Sequence, residues 1–394
     1  MPAEPIYILA AKRTPMGGFQ GELAGLSAPE LGAAAIRAAL AEAGVPGDRV
    51  DGGLMGCVLP AGQGQAPARQ AVLKAGLPEA VPCVTINKMC GSGMKAVMDA
   101  TDQIAAGSAD MLIAGGMESM TNAPYLLPKA RGGYRMGHGA VVDSMFLDGL
   151  EDAYDKGRLM GTFAEDTARD YQFTRGEQDE YAIRSLTRAQ DAITSGAFAT
   201  EVTPVVVPGR GGETTVSIDE QPGKAKRDKI PTLKPAFAKD GTVTAANSSS
   251  ISDGAAALVL ARASAAESLG ARPIARIVGH ATYAAKPSQF CTAPIGAIQK
   301  LYARTGWSAA DVDLFEVNEA FAVVAMAAIR DLRLDPGQVN VNGGATALGH
   351  PIGASGARIL VTLLHSLKAR GGKRGIASLC IGGGEATAVA VELV

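Results

Sequence analysis

The sequence has few aromatic residues and no hydrophobic run long enough to cross a membrane. Aromatic side chains make up 5% of the 394 residues, although the hydrophobic fraction is 47%. A spanning helix needs about 20 apolar residues in succession. No basic segment precedes the apolar run 6–11, so we interpret this run as a first β-strand rather than a signal peptide. We expect no membrane partner.

An excess of positive charge and a regular cysteine pattern are also missing. Lys and Arg total 37 against 39 Asp and Glu, and no basic block alternates with aromatics, so nucleic acid is not an expected partner. The cysteines are Cys57, Cys83, Cys90, Cys291 and Cys380. Their odd number and wide spacing argue against a disulfide framework, and no pair has zinc-ligand spacing. We therefore expect no metal site and a cytoplasmic protein.

Two pairs of segments show that the chain resembles itself. "ELGAAAIRAALAEAGVPGDRVDGGLMG" and "PIGAIQKLYARTGWSAADVDLFEVNEA" both predict a helix, a glycine stop and a strand, with equal intervals at Gly44–Asp51 and Gly306–Asp313. "CGSGMKAVMDATDQIAAGSADMLIAGG" and "GASGARILVTLLHSLKARGGKRGIASLCIGG" repeat that order. Because two consecutive units match in order, we predict a duplicated α/β unit with mostly buried sheets.

A segment of different composition separates the two copies. Residues 121–244 are rich in charge, Gly and Pro, yet they include amphipathic stretches such as "GEQDEYAIRSLTRAQDAI". We interpret this segment as an inserted loop domain rather than a linker. The predicted organisation is then an N-terminal half, 1–120 with 245–271, the loop domain 121–244, and a C-terminal half, 272–394.

Cys90 lies at a predicted corner between a strand and a helix, in "TINKMCGSGMKAV". At a helix N-terminus, free backbone N–H groups and the helix dipole favour thiolate, so we expect a lowered pKa for this thiol. The neighbouring glycines permit a sharp turn and close approach of a ligand. A buried cysteine that packs as a small hydrophobic residue is an equally good interpretation of this stretch.

Other candidate catalytic residues lie in glycine-rich loops or after predicted strands. His350, in "VNGGATALGHPIGASGARIL", is a candidate base for a cysteine nucleophile, or alternatively a residue that bridges its loop. Cys380 ends an apolar strand before "GGGE", where it faces a ligand crevice or is a buried structural thiol. In "EVNEAFA", Asn318 is a candidate either to donate to an oxyanion or to hold a water, and Glu319 is a candidate to orient the histidine.

Five motifs carry a resemblance to a known family. "NKMCGSGMKAV", "GGMESM", "NEAFA", "GGATALGHPIGASGAR" and "CIGGG" resemble the signature motifs of the thiolases, in the family's order and across nearly the whole chain. The resemblance implies an α/β thiolase fold with two βαβαβαββ halves in a five-layer α-β-α-β-α sandwich and an inserted loop domain. It also implies a homo-oligomer, either a dimer or a tetramer.

The resemblance assigns roles to the candidate catalytic residues. Cys90 is the expected nucleophile that carries the acyl group as a thioester, and His350 is expected to activate it. Cys380 is the expected general acid and base at an α-carbon. His350 and a water held by Asn318 form one expected oxyanion hole, and the backbone N–H groups of Cys90 and Gly382 form the second.

The resemblance further implies contacts with coenzyme A and the acyl chain. These expected contacts are Phe237, Ala245, Ser249, Ala320, Phe321, Leu159, Met160, Phe290 and Lys224.

Three of these positions depart from family patterns or leave alternatives open. Leu159 precedes Met-Gly where many acetoacetyl-CoA thiolases have a histidine, which makes this wall more apolar. Gly223 stands where an arginine often follows a proline, so Lys224 is expected to hold phosphates as a point charge, or to belong to a solvated basic loop. Phe290 either shapes the acyl pocket or belongs to the core.

The activity that these features imply is acyl transfer with ping-pong kinetics. We expect condensation of two acetyl-CoA molecules to acetoacetyl-CoA and coenzyme A, and the reverse thiolysis, with no metal or redox cofactor. A 3-ketoacyl-CoA thiolase of fatty acid degradation with broader chain-length range is the main alternative. A condensing enzyme for carrier-bound chains and a non-catalytic CoA-thioester-binding protein are more distant alternatives.

Overall fold

The computed structural model describes residues 4–209 and 211–394, in which strands and helices alternate along most of the chain. The strands are β1 (Ile6–Arg13), β2 (Gly17–Gly18), β3 (Gly52–Gly56), β4 (Cys83–Ile86), β5 (Met111–Ser119), β6 (Tyr125–Leu126), β7 (Val142–Asp143), β8 (Val205–Gly209), β9 (Gly212–Val216), β10 (Ser252–Arg262), β11 (Ala275–Ala284), β12 (Leu314–Val317), β13 (Arg374–Ile381) and β14 (Glu385–Leu393). The α-helices are α1 (Ala28–Ala43), α2 (Pro67–Lys74), α3 (Ser92–Ala105), α4 (Met160–Asp170), α5 (Arg175–Ser195), α6 (Glu220–Lys224), α7 (Ala263–Ser268), α8 (Ala293–Thr305), α9 (Ala322–Leu332), α10 (Ala345–Leu348) and α11 (Ile352–Arg370).

The two halves of the chain build sheets with the same strand order. In the first half the order is β1-β10-β5-β3-β4, and in the second it is β11-β14-β13-β12. A single parallel bridge between Phe315 and Val339 takes the place of β4 in the second half. The sheets join edge to edge where Tyr7 and Ile8 of β1 pair with β11. The predicted duplication is therefore confirmed strand by strand.

Matching side-chain contacts support the same conclusion. Helices α1 and α8 both end at a glycine in the left-handed conformation, with φ of 64° at Gly44 and 73° at Gly306. Seven residues later, Asp51 accepts two backbone N–H groups at the start of β5, at 2.7 and 2.9 Å. Asp313 accepts the two corresponding N–H groups at the start of β13, at 2.7 and 2.8 Å. Each aspartate thus joins the beginnings of two neighbouring strands.

Helices α3 and α11 lie between the two sheets and form the middle layer. Buried side chains such as Met94 of α3 and Leu363 of α11 pack with Leu258 and Leu379 from the two sheets. Helices α1 and α2 cover the other face of the first sheet, and α8 and α9 cover that of the second. This is the predicted five-layer α-β-α-β-α arrangement.

Glycines allow the two middle helices to touch along their backbones. A Cβ atom on Gly93 would lie 2.9 Å from the backbone nitrogen of Ala357, and one on Gly356 would lie 2.4 Å from that of Met94. Such distances leave no room for a side chain. The contact places the N-terminus of α3, which follows Cys90, beside that of α11, which follows His350.

The chain between β5 and β10 forms a covering segment with helices α4 to α6 and two short hairpins. In the second half, the corresponding connection between β13 and β14 is only the turn 382–384. Arg13 of β1 anchors the covering segment through buried ion pairs with Glu201, at 2.6 Å, and Asp219, at 2.7 Å. The predicted domain bounds within this segment stay a prediction. None of the helices in the described ranges combines the length and apolar character needed to cross a membrane.

Candidate active site

A tight corner after β4 presents Cys90. Met89 has a positive φ of 47°, an uncommon conformation for a residue with a side chain. The hydroxyl of Ser92 donates to the carbonyl of Met89 at 2.6 Å and accepts the N–H of Lys88 at 2.8 Å. These bonds hold the turn closed and leave Cys90 half-buried just before α3. The predicted order of strand, corner and helix is correct.

The corner packs against the glycine turn between β13 and β14. A Cβ atom on Gly91 would lie 2.4 Å from Cδ1 of Ile381, so only glycine fits there. Lys88 forms an ion pair with Glu385 across the same contact. Through this packing the backbone N–H of Gly382 approaches the sulfur of Cys90, as does the N–H of Cys90 itself. Two N–H donors at one nucleophile are the arrangement that stabilises an oxyanion.

The pKa that we expected for Cys90 is wrong in direction. Burial disfavours the thiolate and raises the pKa of Cys90 to about 11, and the backbone N–H groups of Gly382 and Cys90 offset only part of this effect. The charge of Glu118 raises the pKa slightly further. The resting sulfur is therefore a thiol at neutral pH, and its reaction as a nucleophile needs a base.

His350 is the candidate for this base. Burial and the positive charge of Arg358 lower its pKa to about 3, so the imidazole is neutral at pH 7. Its Nδ1 lies 2.5 Å from Oγ of Ser355, whose hydroxyl donates to the carbonyl of Pro351 at 2.9 Å. When the hydroxyl of Ser355 donates to Pro351, Nδ1 of His350 is the donor to Ser355. Nε2 is then unprotonated, and it is buried without a hydrogen-bond partner among the described residues.

Glu319 does not have the role that we expected from the sequence. Its carboxylate accepts four side-chain hydrogen bonds of 2.6 to 2.9 Å. The donors are Tyr181 and Ser185 of α5, Asn340, and Thr346 of α10. Ser355, rather than Glu319, orients His350. Glu319 instead connects the covering segment to the loop that leads to His350. The sequence motif does not indicate this connection, because α5 is remote from Glu319 in sequence.

Asn318 and Cys380 lie directly behind this site. Nδ2 of Asn318 is 3.5 Å from Nδ1 of His350, and its Oδ1 is 3.4 Å from Nη2 of Arg358. Cys380 is the next-to-last residue of β13 and is fully buried, so its pKa is raised well above the usual value, first by burial and then by electrostatic interaction with Cys90 and Cys291. Both residues are close to the reacting groups, and their specific roles stay predictions.

Cys90, His350 and Gly382 face a common cavity of about 370 Å³. Eight of the nine predicted substrate contacts also line it: Leu159, Met160, Phe237, Ala245, Ser249, Phe290, Ala320 and Phe321. The structure adds residues that we did not predict, namely Met89, Phe146, Leu150, Ile251 and Ile352. Met89 and Ile352 lie within quoted motifs and Ile251 follows the predicted contact Ser249 by two residues, whereas Phe146 and Leu150 belong to a π-helical turn that had no sequence signal. The lining is mainly apolar.

Lys224, the ninth predicted contact, lies elsewhere. It forms an ion pair with Glu220 and lines a second cavity of about 350 Å³. Lys226 and Lys229 line the same cavity, and Ala245 lines both cavities. The second cavity therefore adjoins the first and carries three cationic side chains. A contact between Lys224 and a ligand stays a prediction.

A buried carboxylate that the sequence analysis did not identify, that of Glu118, stabilises the backbone next to the site. Glu118, in the quoted motif "GGMESM", accepts backbone N–H groups of Val58 at 2.9 Å, Leu59 at 3.2 Å and Gly353 at 2.8 Å. Burial raises its pKa to about 7. Because Gly353 is in the first turn of α11, Glu118 fixes the helix start that follows His350. Within residues 4–209 and 211–394, no group of three or more His, Cys, Asp or Glu side chains is arranged to hold a metal ion.

Comparisons with known proteins agree with this geometry. The family model described as "Thiolase, N-terminal domain" matches residues 6–264, and "Thiolase, C-terminal domain" matches residues 271–393. The chain is 50% identical over 389 residues to the acetyl-CoA acetyltransferase of Cupriavidus necator, which covers 98% of this chain and 99% of that protein. It is also 50% identical over 393 residues to acetyl-CoA acetyltransferase 2 of Arabidopsis thaliana, covering 99% and 97%.

A solved structure shows the same fold. The crystal structure of the Bacillus anthracis acetyl-CoA acetyltransferase superimposes with a TM-score of 0.97 at 41% identity and covers 100% of this chain and 99% of that one. The fold and the site thus define a thiolase. The chain belongs to the thiolase family, as the motifs indicated.

Proposed function

We propose that the chain is an acetyl-CoA acetyltransferase, which condenses two acetyl-CoA molecules to acetoacetyl-CoA and coenzyme A and catalyses the reverse thiolysis. The observation that carries this function is the common cavity of Cys90, His350 and Gly382, with an unprotonated imidazole nitrogen and two N–H donors at the nucleophile. Relatives at about half identity over nearly the whole chain have this name. They do not favour the broader-chain alternative.

The first half-reaction forms an acyl-enzyme. Nε2 of His350 takes the thiol proton of Cys90 as the sulfur attacks the carbonyl carbon of acetyl-CoA. The N–H groups of Cys90 and Gly382 stabilise the oxyanion of the tetrahedral intermediate. When the intermediate collapses, the bond to coenzyme A breaks and the thiol of Cys380 protonates the leaving sulfur. The raised pKa of Cys380 keeps its proton available at neutral pH, and it makes the resulting thiolate a strong base for the second half-reaction.

The second half-reaction forms the carbon–carbon bond. The thiolate of Cys380 removes a proton from the α-carbon of a second acetyl-CoA, and the enolate oxygen is stabilised by His350 and by a water held by Asn318. The α-carbon attacks the acetyl group on Cys90, and acetoacetyl-CoA leaves. The released thiolate of Cys90 regains its proton from His350, so all protons balance without a metal or redox cofactor.

We further propose that the second cavity, which carries the three lysines, binds the phosphates of coenzyme A. Lys224, Lys226 and Lys229 line it, and it meets the catalytic cavity at Ala245, which is a suitable path for an extended pantetheine arm. Exposed lysines attract phosphates as point charges, so binding should weaken with salt. Lys226→Ala should raise KM for acetyl-CoA about threefold with little change in kcat, since a partly screened exposed charge contributes about 0.2–1 kcal/mol.

The proposal also includes a homo-oligomer, a dimer or tetramer, that acts in the cytoplasm in fatty acid metabolism. An exposed apolar side chain on an open strand edge supports self-association, because proteins usually cover or charge such edges. Val84 on the edge strand β4 is 54% exposed, and Tyr125 in the β6–β7 hairpin is 67% exposed. Analytical ultracentrifugation of wild type and Val84→Lys tests this part.

The function is tested by following thiolysis of acetoacetyl-CoA with free coenzyme A. Wild type should be active, Cys90→Ala inactive, and Cys83→Ala, which changes another half-buried cysteine, unaffected. Mass spectrometry after incubation with acetyl-CoA should find one acetyl group, on Cys90. Activity that survives in Cys90→Ala, or acetylation at another residue, would contradict the proposed function.

A further inference from the structure

We propose that Arg158 and Phe163, two residues behind the cavity wall, restrict the enzyme to short acyl chains by bracing Phe290. The inference rests on the proposed function and specifies its substrate class, namely acetyl and acetoacetyl thioesters rather than longer 3-ketoacyl chains.

The brace begins with an aromatic cluster. Phe290 lines the catalytic cavity and is only 3% exposed. Its ring meets that of Phe163 edge to face, with centroids 6.2 Å apart and planes at 86°. On another side it meets Phe321, with centroids 6.4 Å apart. Since protein interiors are closely packed, Phe290 can turn away from the cavity only if Phe163 or Phe321 also moves.

Arg158 packs against the ring of Phe163 in this aromatic cluster. Its guanidinium carbon lies 3.9 Å from the ring centre of Phe163, within the range of a cation–π contact. Nε donates to the hydroxyl of Thr162 at 3.1 Å, and Nη2 pairs with Asp166 at 2.7 Å. The guanidinium is thus held on the surface of α4, where it covers Phe163.

The brace acts close to the reacting thioester. Leu159 and Met160, at the start of α4, line the same cavity. A Cβ atom on Gly382 would lie 3.5 Å from Sδ of Met160, so this wall stands next to the N–H donor that faces Cys90. An acyl chain attached to Cys90 therefore meets the α4 wall within a few carbon atoms. A longer chain needs space that Phe290 fills.

The test compares thiolysis of acetoacetyl-CoA with that of 3-ketooctanoyl-CoA. We measure kcat and KM for both substrates in wild type, Phe163→Leu and Arg158→Gln. Adding or removing a methylene in an apolar pocket typically changes kcat/KM by about 10–200-fold. We expect the ratio of kcat/KM for the eight-carbon over the four-carbon substrate to rise at least about tenfold in Phe163→Leu and about threefold in Arg158→Gln. The gain should appear mainly as a lower KM for the longer substrate.

The chain offers a matched control in the same hydrophobic core. Arg330 lies 4.1 Å from the ring centre of Phe173, a second cation–π pair whose residues do not line the catalytic cavity in the described part of the chain. Phe173→Leu and Arg330→Gln should leave the substrate ratio at the wild-type value. Thermal unfolding of all four variants identifies any that fail to fold, and Phe163→Met then replaces Phe163→Leu.

The outcomes separate the inference from the proposed function. An unchanged ratio in folded Phe163→Leu, or an equal rise in the control pair, would overturn the brace. If wild type does not cleave acetoacetyl-CoA, the proposed function is wrong. The brace is then judged by acylation of Cys90 with octanoyl-CoA relative to acetyl-CoA, measured by mass spectrometry, and no relative gain in Phe163→Leu would again overturn it.

Discussion

Oγ of Ser355 lies 2.5 Å from Nδ1 of His350, and this contact favours the tautomer in which Nδ1 carries the proton. Without that hydroxyl, the imidazole is free to protonate Nε2 and to rotate. Ser355→Ala should therefore lower kcat about tenfold or more while KM changes little, because general-base catalysis contributes about 10²–10⁴-fold. Steady-state thiolysis measures both constants. Ser366→Ala removes another buried hydroxyl of α11 and should leave kcat unchanged; equal losses in both variants would contradict the tautomer argument.

The raised pKa of Cys90 predicts slow alkylation of the resting enzyme at neutral pH. With a pKa of about 11, the thiolate fraction at lower pH increases about tenfold each time the pH rises by one unit. The rate of inactivation by iodoacetamide should rise accordingly from pH 7 to pH 10. Mass spectrometry assigns the label, and Cys90→Ala gives the background from the other cysteines. A rate that is already constant above pH 7 would instead indicate a resting thiolate.

The buried neutral His350 predicts a loss of stability in acid. Its pKa is about 6.5 in the unfolded chain and about 3 in the folded one. As pH falls below 6.5, the unfolded state binds a proton that the folded state does not, so this residue destabilises the fold progressively down to about pH 3. His350→Gln should reduce the decrease in unfolding free energy between pH 7 and pH 5 by about 2 kcal/mol. Urea unfolding at both pH values measures it, and an unchanged decrease would be inconsistent with a buried neutral imidazole.

The glycine contact between α3 and α11 predicts that the addition of a single methyl group at this contact moves the nucleophile away from its base. Gly356→Ala places a Cβ atom against the backbone of Met94, and overpacking of this kind typically costs about 1–3 kcal/mol. Both the unfolding free energy and kcat should fall. Gly132→Ala is the matched control, since a Cβ atom there meets nothing within 4 Å. Loss of stability with full kcat would show that helix spacing does not set the alignment of the site.

The hydrogen bonds of Glu319 predict local opening of the covering segment. Glu319→Gln replaces one acceptor oxygen by an NH₂ group that faces donors, which should cost about 3 kcal/mol. Hydrogen exchange should accelerate in α5, which supplies two of the donors, more than in α1. Tyr181→Phe removes one donor and adds none, so its effect should be smaller, about 1 kcal/mol. Uniform acceleration in both helices would argue against a local connection.

The sequence allowed correct prediction of features that depend on local pattern. The strand before Cys90, the helix after it and the paired aspartates at Asp51 and Asp313 follow from periodicity, glycine stops and repetition. Two features that depend on spatial neighbours, the pKa of Cys90 and the partner of His350, were predicted wrongly. The pKa of Cys90 is raised by burial, and the residues that bury it cannot be identified from their order in the sequence. The hydrogen-bond partner of His350 is Ser355, five residues later in α11, rather than Glu319.

The contrast between the two halves also has a consequence for the order in which the chain assembles. In the second half, β13 and β14 are separated only by a short turn, so their hairpin forms through local contacts. In the first half, β1 pairs with β10, and Ile6 meets its partner only when Arg262 has been synthesised. The first sheet therefore closes only through contacts that span the whole covering segment, and long-range strand pairing of this kind is intrinsically slow. Cys90 also meets Gly382 of the glycine turn only after the second half has been synthesised, so a nascent chain that lacks this turn should be inactive.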